Sequence, residues 1–171
     1  MVWYMRPIII KSSNVRGETF ELERTAMTHW VSTSGCNIPE NAIRAGYEKD
    51  GRPLYIARAK MECTETAGKC APHLGGAHIP YDGEEKIVHN YEVLVYSIKD
   101  QGFVDWQKAS NGNVPCNAVK TDNDKYVGRV FAFGSLIPCK IDTAHNHMCA
   151  YMGYGGKEHN TKDYEVLCNI K

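Results

Sequence analysis

The stretch from Trp30 to Arg58 returns in shortened form from Trp106 onward, and this internal copy constrains the fold more than any other feature of the chain. Trp30 and Pro39 stand nine positions apart, as do Trp106 and Pro115. Asn37-Ile38-Pro39-x-Asn41-Ala42-Ile43 comes back as Asn113-Val114-Pro115-x-Asn117-Ala118-Val119 at an offset of 76. The offset then falls to 71, where Tyr55-Ile56-x-Arg58 matches Tyr126-Val127-x-Arg129 and Lys69 matches Lys140. It rises to 73 for Tyr81-x-Gly83 against Tyr154-x-Gly156, Glu85 against Glu158, and Tyr91-Glu92-Val93-Leu94 against Tyr164-Glu165-Val166-Leu167. One deletion and one small insertion account for the drift. The copies occupy residues 30–98 and 106–171, with residues 1–26 as an N-terminal extension outside them.

Each repeat is about 65 to 70 residues long, near the size at which a single core supplies only a few kcal/mol. Two halves sharing one core are therefore expected, and the joining segment Lys99 to Asp105 is too short and too apolar for a flexible linker. Leu54 to Ala59, Tyr91 to Ile98, Tyr126 to Phe133 and Tyr164 to Ile170 are rich in β-branched and aromatic residues between turn-forming clusters, as strands are. Asp50-Gly51 marks a hairpin. Phe20 to Glu23 alternates like an edge strand, and Asn41 to Ala45 allows one helical turn at most. No segment carries a sustained apolar stripe of helical period. The expected fold is all-β, two tandem pseudo-symmetric repeats around one sandwich- or barrel-like core.

Composition removes several function classes. Lys and Arg total 20 against 20 for Asp and Glu, so the basic footprint of a nucleic-acid partner is absent. No apolar run approaches the roughly 20 residues of a membrane-spanning helix, and nothing resembles a secretory cleavage site. Seven cysteines form no regular framework, which points to free thiols, a reducing compartment and a cytoplasmic protein, with non-classical release as the alternative. Neither GxGxxG nor a phosphate-binding loop is present. Cys63, Cys70, His73 and His78 match no zinc spacing, nor do His145 and His147, so neither metal nor cofactor is expected. Trp30 and Trp106 are expected to pack rather than to bind.

Glu48 and Lys69 stand out among the charged residues. Glu48 follows Gly46-Tyr47 just before the hairpin turn, and Lys69 follows Gly68 in the next loop. A carboxylate only accepts hydrogen bonds and an ammonium only donates them, so the pair suits vicinal hydroxyls, which do both. Tyr47 supplies an apolar wall for the C–H face of a sugar.

The duplicated set of Trp-(x)8-Pro-x-Asn-Ala-Ile/Val, Tyr-Ile/Val-x-Arg, Gly-Lys and Tyr-Glu-Val-Leu resembles the DM-nine repeat family, and the likeness runs from Trp30 to Lys171. It is strongest to bivalve two-repeat members that bind mannose. The resemblance implies a mannose site on Glu48 and Lys69, with Glu48 one methylene longer than the family's usual Asp. The second repeat keeps Lys140 but loses the Gly-Tyr-acid element, leaving Asp122 nearby and implying a weaker second site. The leading expectation is a non-enzymatic lectin for mannose-type glycans on microbial surfaces, a homodimer acting in innate immune recognition. The alternative is an intracellular stress- or infection-responsive protein that meets proteins or lipids. A glycoside hydrolase would need two carboxylates flanking one bond, and Glu84 and Glu85 are adjacent instead.

Overall fold

A computed structural model of the chain describes residues 28–97 and 103–170. The N-terminal extension with its Phe20 to Glu23 alternation, and residues 98–102 of the joining region, lie outside the described residues. The described residues form strands and no helix. The first half contributes β1 (Thr28–Ser34), β2 (Arg44–Tyr47), β3 (Pro53–Met61), β4 (Thr64–Cys70), β5 (Ala77–Tyr81), β6 (Glu84–Val88) and β7 (Asn90–Tyr96). The second contributes β8 (Phe103–Ser110), β9 (Lys120–Asp122), β10 (Lys125–Ala132), β11 (Ser135–Asp142), β12 (Cys149–Tyr154), β13 (Lys157–Thr161) and β14 (Asp163–Ile170).

Antiparallel neighbours run β1-β7-β3-β4-β5-β6-β13-β12-β11-β10-β14-β8, so the second half retraces the first in mirror order. Strand β2 pairs with both β3 and β11. It thereby closes β2-β3-β4-β5-β6-β13-β12-β11 into an eight-stranded barrel, with the remaining strands as flanking extensions. The halves meet at two narrow seams, Lys157 opposite Glu84 and Leu136 opposite Tyr47.

Burial follows this doubling. One apolar cluster belongs to the first half (Ala57, Cys70, Ile79, Val93 among others) and one to the second (Ile137, Cys139, Met152, Val166). A third mixes Ile43, Ile56 and Leu94 with Val119, Val127 and Leu167, and the two halves share it.

The repeat motifs have a structural explanation. Arg58 stacks over Trp30 at 4.5 Å and its Nε donates to Glu92 at 2.6 Å. Arg129 repeats this over Trp106 at 4.2 Å, donating to Glu165 at 2.6 Å. A guanidinium held between an indole face and a carboxylate welds three strands together. The motif tyrosines pin the preceding loops: Tyr91 donates to the Gly35 carbonyl at 2.8 Å and Tyr164 to the Asn113 carbonyl at 3.1 Å.

The helical turn allowed for Asn41 to Ala45 is absent. Asn41 takes a left-handed φ of 63°, Ala42 bridges to Val95, and Ile43 donates to the Leu94 carbonyl at 3.0 Å, committing the segment to the sheet. Three residues after Ile43, Gly46 lets β2 reach β11, because a Cβ there would lie 1.9 Å from the Leu136 carbonyl oxygen. Gly46→Ala is expected to open this seam and to cost more than about 2 kcal/mol, read as a lower urea midpoint.

Candidate functional site

Lys69 and Lys140 occupy matched positions on β4 and β11, and strand alternation turns both inward, to 4% and 7% exposure. A buried ammonium is costly unless it is paired and hydrogen-bonded. Each lysine finds part of its partnership in the other half of the chain. Lys69 Nζ donates to the Gly153 carbonyl on β12 at 2.9 Å and lies 2.9 Å from Glu85 Oε1 on β6. Lys140 Nζ donates to the Pro80 carbonyl on β5 at 2.9 Å and lies 3.1 Å from Glu158 Oε2 on β13. The glutamates complete the exchange. Gly156 N–H donates to Glu85 Oε2 at 3.0 Å, and Gly83 N–H reaches Glu158 Oε1 at 3.4 Å. Glu85 Oε1 and Glu158 Oε2 sit at ion-pair distance from the lysines without the alignment of a directed hydrogen bond.

An aromatic face completes each centre: the Tyr154 ring 5.6 Å from Lys69 and the Tyr81 ring 5.5 Å from Lys140. The residue opposite each lysine differs. His78 faces Lys69 in register and places Nδ1 3.2 Å from Glu85 Oε1. Tyr151 faces Lys140, its ring 4.9 Å from Nζ, and its hydroxyl shares a 2.6 Å hydrogen bond with His147 Nδ1. Burial pushes the Tyr151 phenol upward. At Glu85, burial works against the charged form, but His78, Lys69 and the Gly156 amide outweigh it and bring the carboxyl down to about 2.

The sequence pattern of the DM9 repeat matches three overlapping segments, residues 10–88, 64–125 and 120–171. The chain belongs to the DM9 repeat family. Among curated proteins it is 31% identical over 143 residues to Natterin-1 of Thalassophryne nattereri, covering 81% of this chain and 37% of that protein. Natterin-4 of the same species is 28% identical over 150 residues, covering 86% and 35%. The chain thus spans about a third of the length of these curated relatives. Among solved structures, the nematode sperm cell motility protein MFP2B superimposes with a TM-score of 0.64 at 17% identity, over 97% of this chain and 53% of that one. The likeness to MFP2B is one of fold.

Within this DM9 barrel the residues singled out by sequence are spread over several positions. Lys69, expected in a loop, instead lies within β4 at the first centre, where strand pairing with β3 and β5 holds it, and Lys140 lies at the second. Glu48, just beyond β2, places Oε1 3.6 Å from His73 Nε2. Among the described residues no hydrogen bond or ion pair joins Glu48 to Lys69. Tyr47 stands opposite Leu136 in the closing seam and is 38% exposed. Asp122 accepts from the Glu65 and Asn123 amides at 3.0 and 2.7 Å, and these two bonds hold its carboxyl below the usual range. It sits where β9 meets β4, so a side chain does there what strand pairing between β2 and β11 does on the other flank.

In the sequence Glu158, Tyr81 and Tyr154 stand only as repeat markers, and Glu85 as a repeat marker and one of two adjacent carboxylates. Their retention in both copies, at matched distance from a retained lysine, was the available signal. Phe133 was read as the last residue of a strand, yet its ring lies parallel on Tyr154 with centroids 4.5 Å apart and 11° between planes. A shallow concavity of about 380 Å³ lies elsewhere, against Ser32, Arg58, Lys60, Glu65 and Glu92. It contains neither Lys69 nor Lys140, and Arg58 and Glu92 of its lining pair with each other.

Several chemistries find little support in this arrangement. Glu84 is exposed and pairs with Lys86, whereas Glu85 is buried against Lys69, so the adjacent carboxylates do not flank one cleft. Burial pushes the Cys70 thiol up to about 12, far from a reactive thiolate. Among the described residues no three His, Cys, Asp or Glu side chains gather as a metal site would require.

A carboxyl that is more acidic folded than unfolded adds stability above its ordinary range and loses that contribution as pH falls toward the folded value. For Glu85 the window runs from about 4.5 down to about 2. The urea midpoint of the wild type is therefore expected to fall more steeply across this window than that of Glu85→Gln.

Proposed function

We propose that this DM9 chain is a lectin for mannose-type glycans, binding without metal and serving pattern recognition in defence. The observation that carries the reading is the Lys69–Glu85 ion pair set beside the ring of Tyr154. A pyranose offers both donors and acceptors at its edge and C–H groups on its face, and this centre combines charge and ring in matching fashion. The resemblance of the repeat to mannose-binding two-repeat members points the same way. In this reading Glu48 and Tyr47 meet the hexose from the surface, and Lys69 sets the depth of the site. The Lys140 centre, lacking a Gly-Tyr-acid element, binds more weakly.

Glu48→Gln keeps the shape of a partly exposed side chain and removes its charge. It is expected to weaken mannose binding by roughly ten- to a hundredfold, the worth of a charge-assisted hydrogen bond. Lys69→Met should do the same, and Lys140→Met should cost far less in the same calorimetric titration. Equal losses at Lys69 and Lys140 would remove the asymmetry between the centres.

A few hydrogen bonds to one hexose give about millimolar affinity, so recognition of a microbial surface calls for linked sites. A homodimer supplies them, and light scattering is expected to return twice the mass of the chain. The exposed aromatic residues Phe131 and Phe133 favour a second reading, a module that docks on proteins or lipids. Retention on mannan that free mannose competes away separates the two.

A further inference from the structure

We infer that the Lys69 centre takes a glycan longer than one sugar, because an aromatic platform leads away from it along the β10–β11 hairpin and has no counterpart at the Lys140 centre. The inference rests on the lectin reading above and adds to it the length of the ligand and the place of its second ring.

At the offset of 71 the duplication sets Lys60 against Phe131, Glu62 against Phe133 and Glu65 against Leu136. Strand contacts add a fourth pair, since Tyr47 meets Leu136 on one flank and Asp122 meets Glu65 on the other. Four charged residues on one flank thus correspond to four apolar or aromatic ones on the other. Phe131, 66% exposed, stands opposite Leu136, which stands opposite Tyr47, making a row across β10, β11 and β2. Phe133, 49% exposed, lies flat on Tyr154, and Tyr154 in turn faces the Lys69 ammonium. Two stacked rings therefore connect the buried charge pair to the surface.

The backbone of this turn does not call for phenylalanine. Phe133 and Gly134 take φ of 54° and 78°, both positive, as in the tight hairpin turn that favours Asn, Asp or Gly at its first central position. A bulky side chain in the left-handed region is disfavoured, and this one also leaves half its surface in water. A residue unsuited to its backbone and open to solvent at the rim of a site is the mark of a functional position. The methylene stem of Lys49 passes beside Gly134, and the His159 ring lies 4.9 Å from Phe133. A second pyranose has the C–H face that an open aromatic ring takes.

The test compares mannose with a linear mannotriose on the full chain by calorimetry. Wild type is expected to bind the trisaccharide about tenfold or more tightly than the monosaccharide. Phe133→Asn, which suits the turn, should weaken trisaccharide binding by roughly three- to tenfold, leave mannose affinity unchanged, and raise the melting midpoint. Phe131→Ser should act in the same direction on the trisaccharide. A wild type that does not distinguish the two ligands overturns the inference, as does Phe133→Asn affecting both ligands equally or neither. Self-association lost in Phe133→Asn, with trisaccharide affinity unchanged, would instead assign the platform to a second copy of the chain. Failure of wild type to bind mannose and mannotriose alike would bring down the lectin reading itself.

Discussion

Each half of the barrel buries a lysine whose hydrogen bond ends on the backbone of the other half. Lys69 reaches Gly153 and Lys140 reaches Pro80, and the partner glutamates Glu85 and Glu158 accept from Gly156 and Gly83. A buried ammonium without partners would cost several kcal/mol, so the halves are locked in one mutual orientation. The locking matters because the seams themselves are slight. Backbone pairing joins the halves at Lys157 with Glu84 and at Leu136 with Tyr47. The crossed lysine bonds reinforce the first seam, and the missing side chain of Gly46 permits the second.

Duplication has left the interior equal and the exterior unequal. The Trp–Arg–Glu stacks agree to within a few tenths of an ångström, and so do the lysine-to-tyrosine distances at the two centres. These groups are bound into both the sheet and the seam, where a change in one copy disturbs the other. Outward side chains on the flanking hairpins take no part in that network. There Lys60, Glu62 and Glu65 on one side correspond to Phe131, Phe133 and Leu136 on the other, and His78 corresponds to Tyr151. Two centres built on one plan have thus acquired different surroundings.

The all-β class and the longer strands were legible because Leu54 to Ala59 and Tyr164 to Ile170 carry their β propensity locally. Barrel closure was not. It depends on single bridges between residues far apart in sequence, and no local pattern announces that Tyr47 will meet Leu136. The same gap explains the site. Lys69 was found, but Glu85 passed for a mere repeat marker because the β6–β13 seam that brings Gly156 to it could not be seen. Glu48 was chosen for its place after Gly-Tyr, and the group beside its carboxylate is the His73 ring. Asn41 read as helical because its left-handed φ, forced by the return of the chain toward Val95, has no signature in composition. Phe133 escaped notice because Phe-Gly is not the pair that tight hairpins advertise.

The crossed lysine bonds also speak to ancestry. A solitary half would leave its lysine facing water, and a second, identical half offers the Gly153 or Pro80 carbonyl in place of that water. The present chain is in that sense a symmetric dimer written into one polypeptide. Fusion freed one copy to change its outer surface while the other held the shared interior in place.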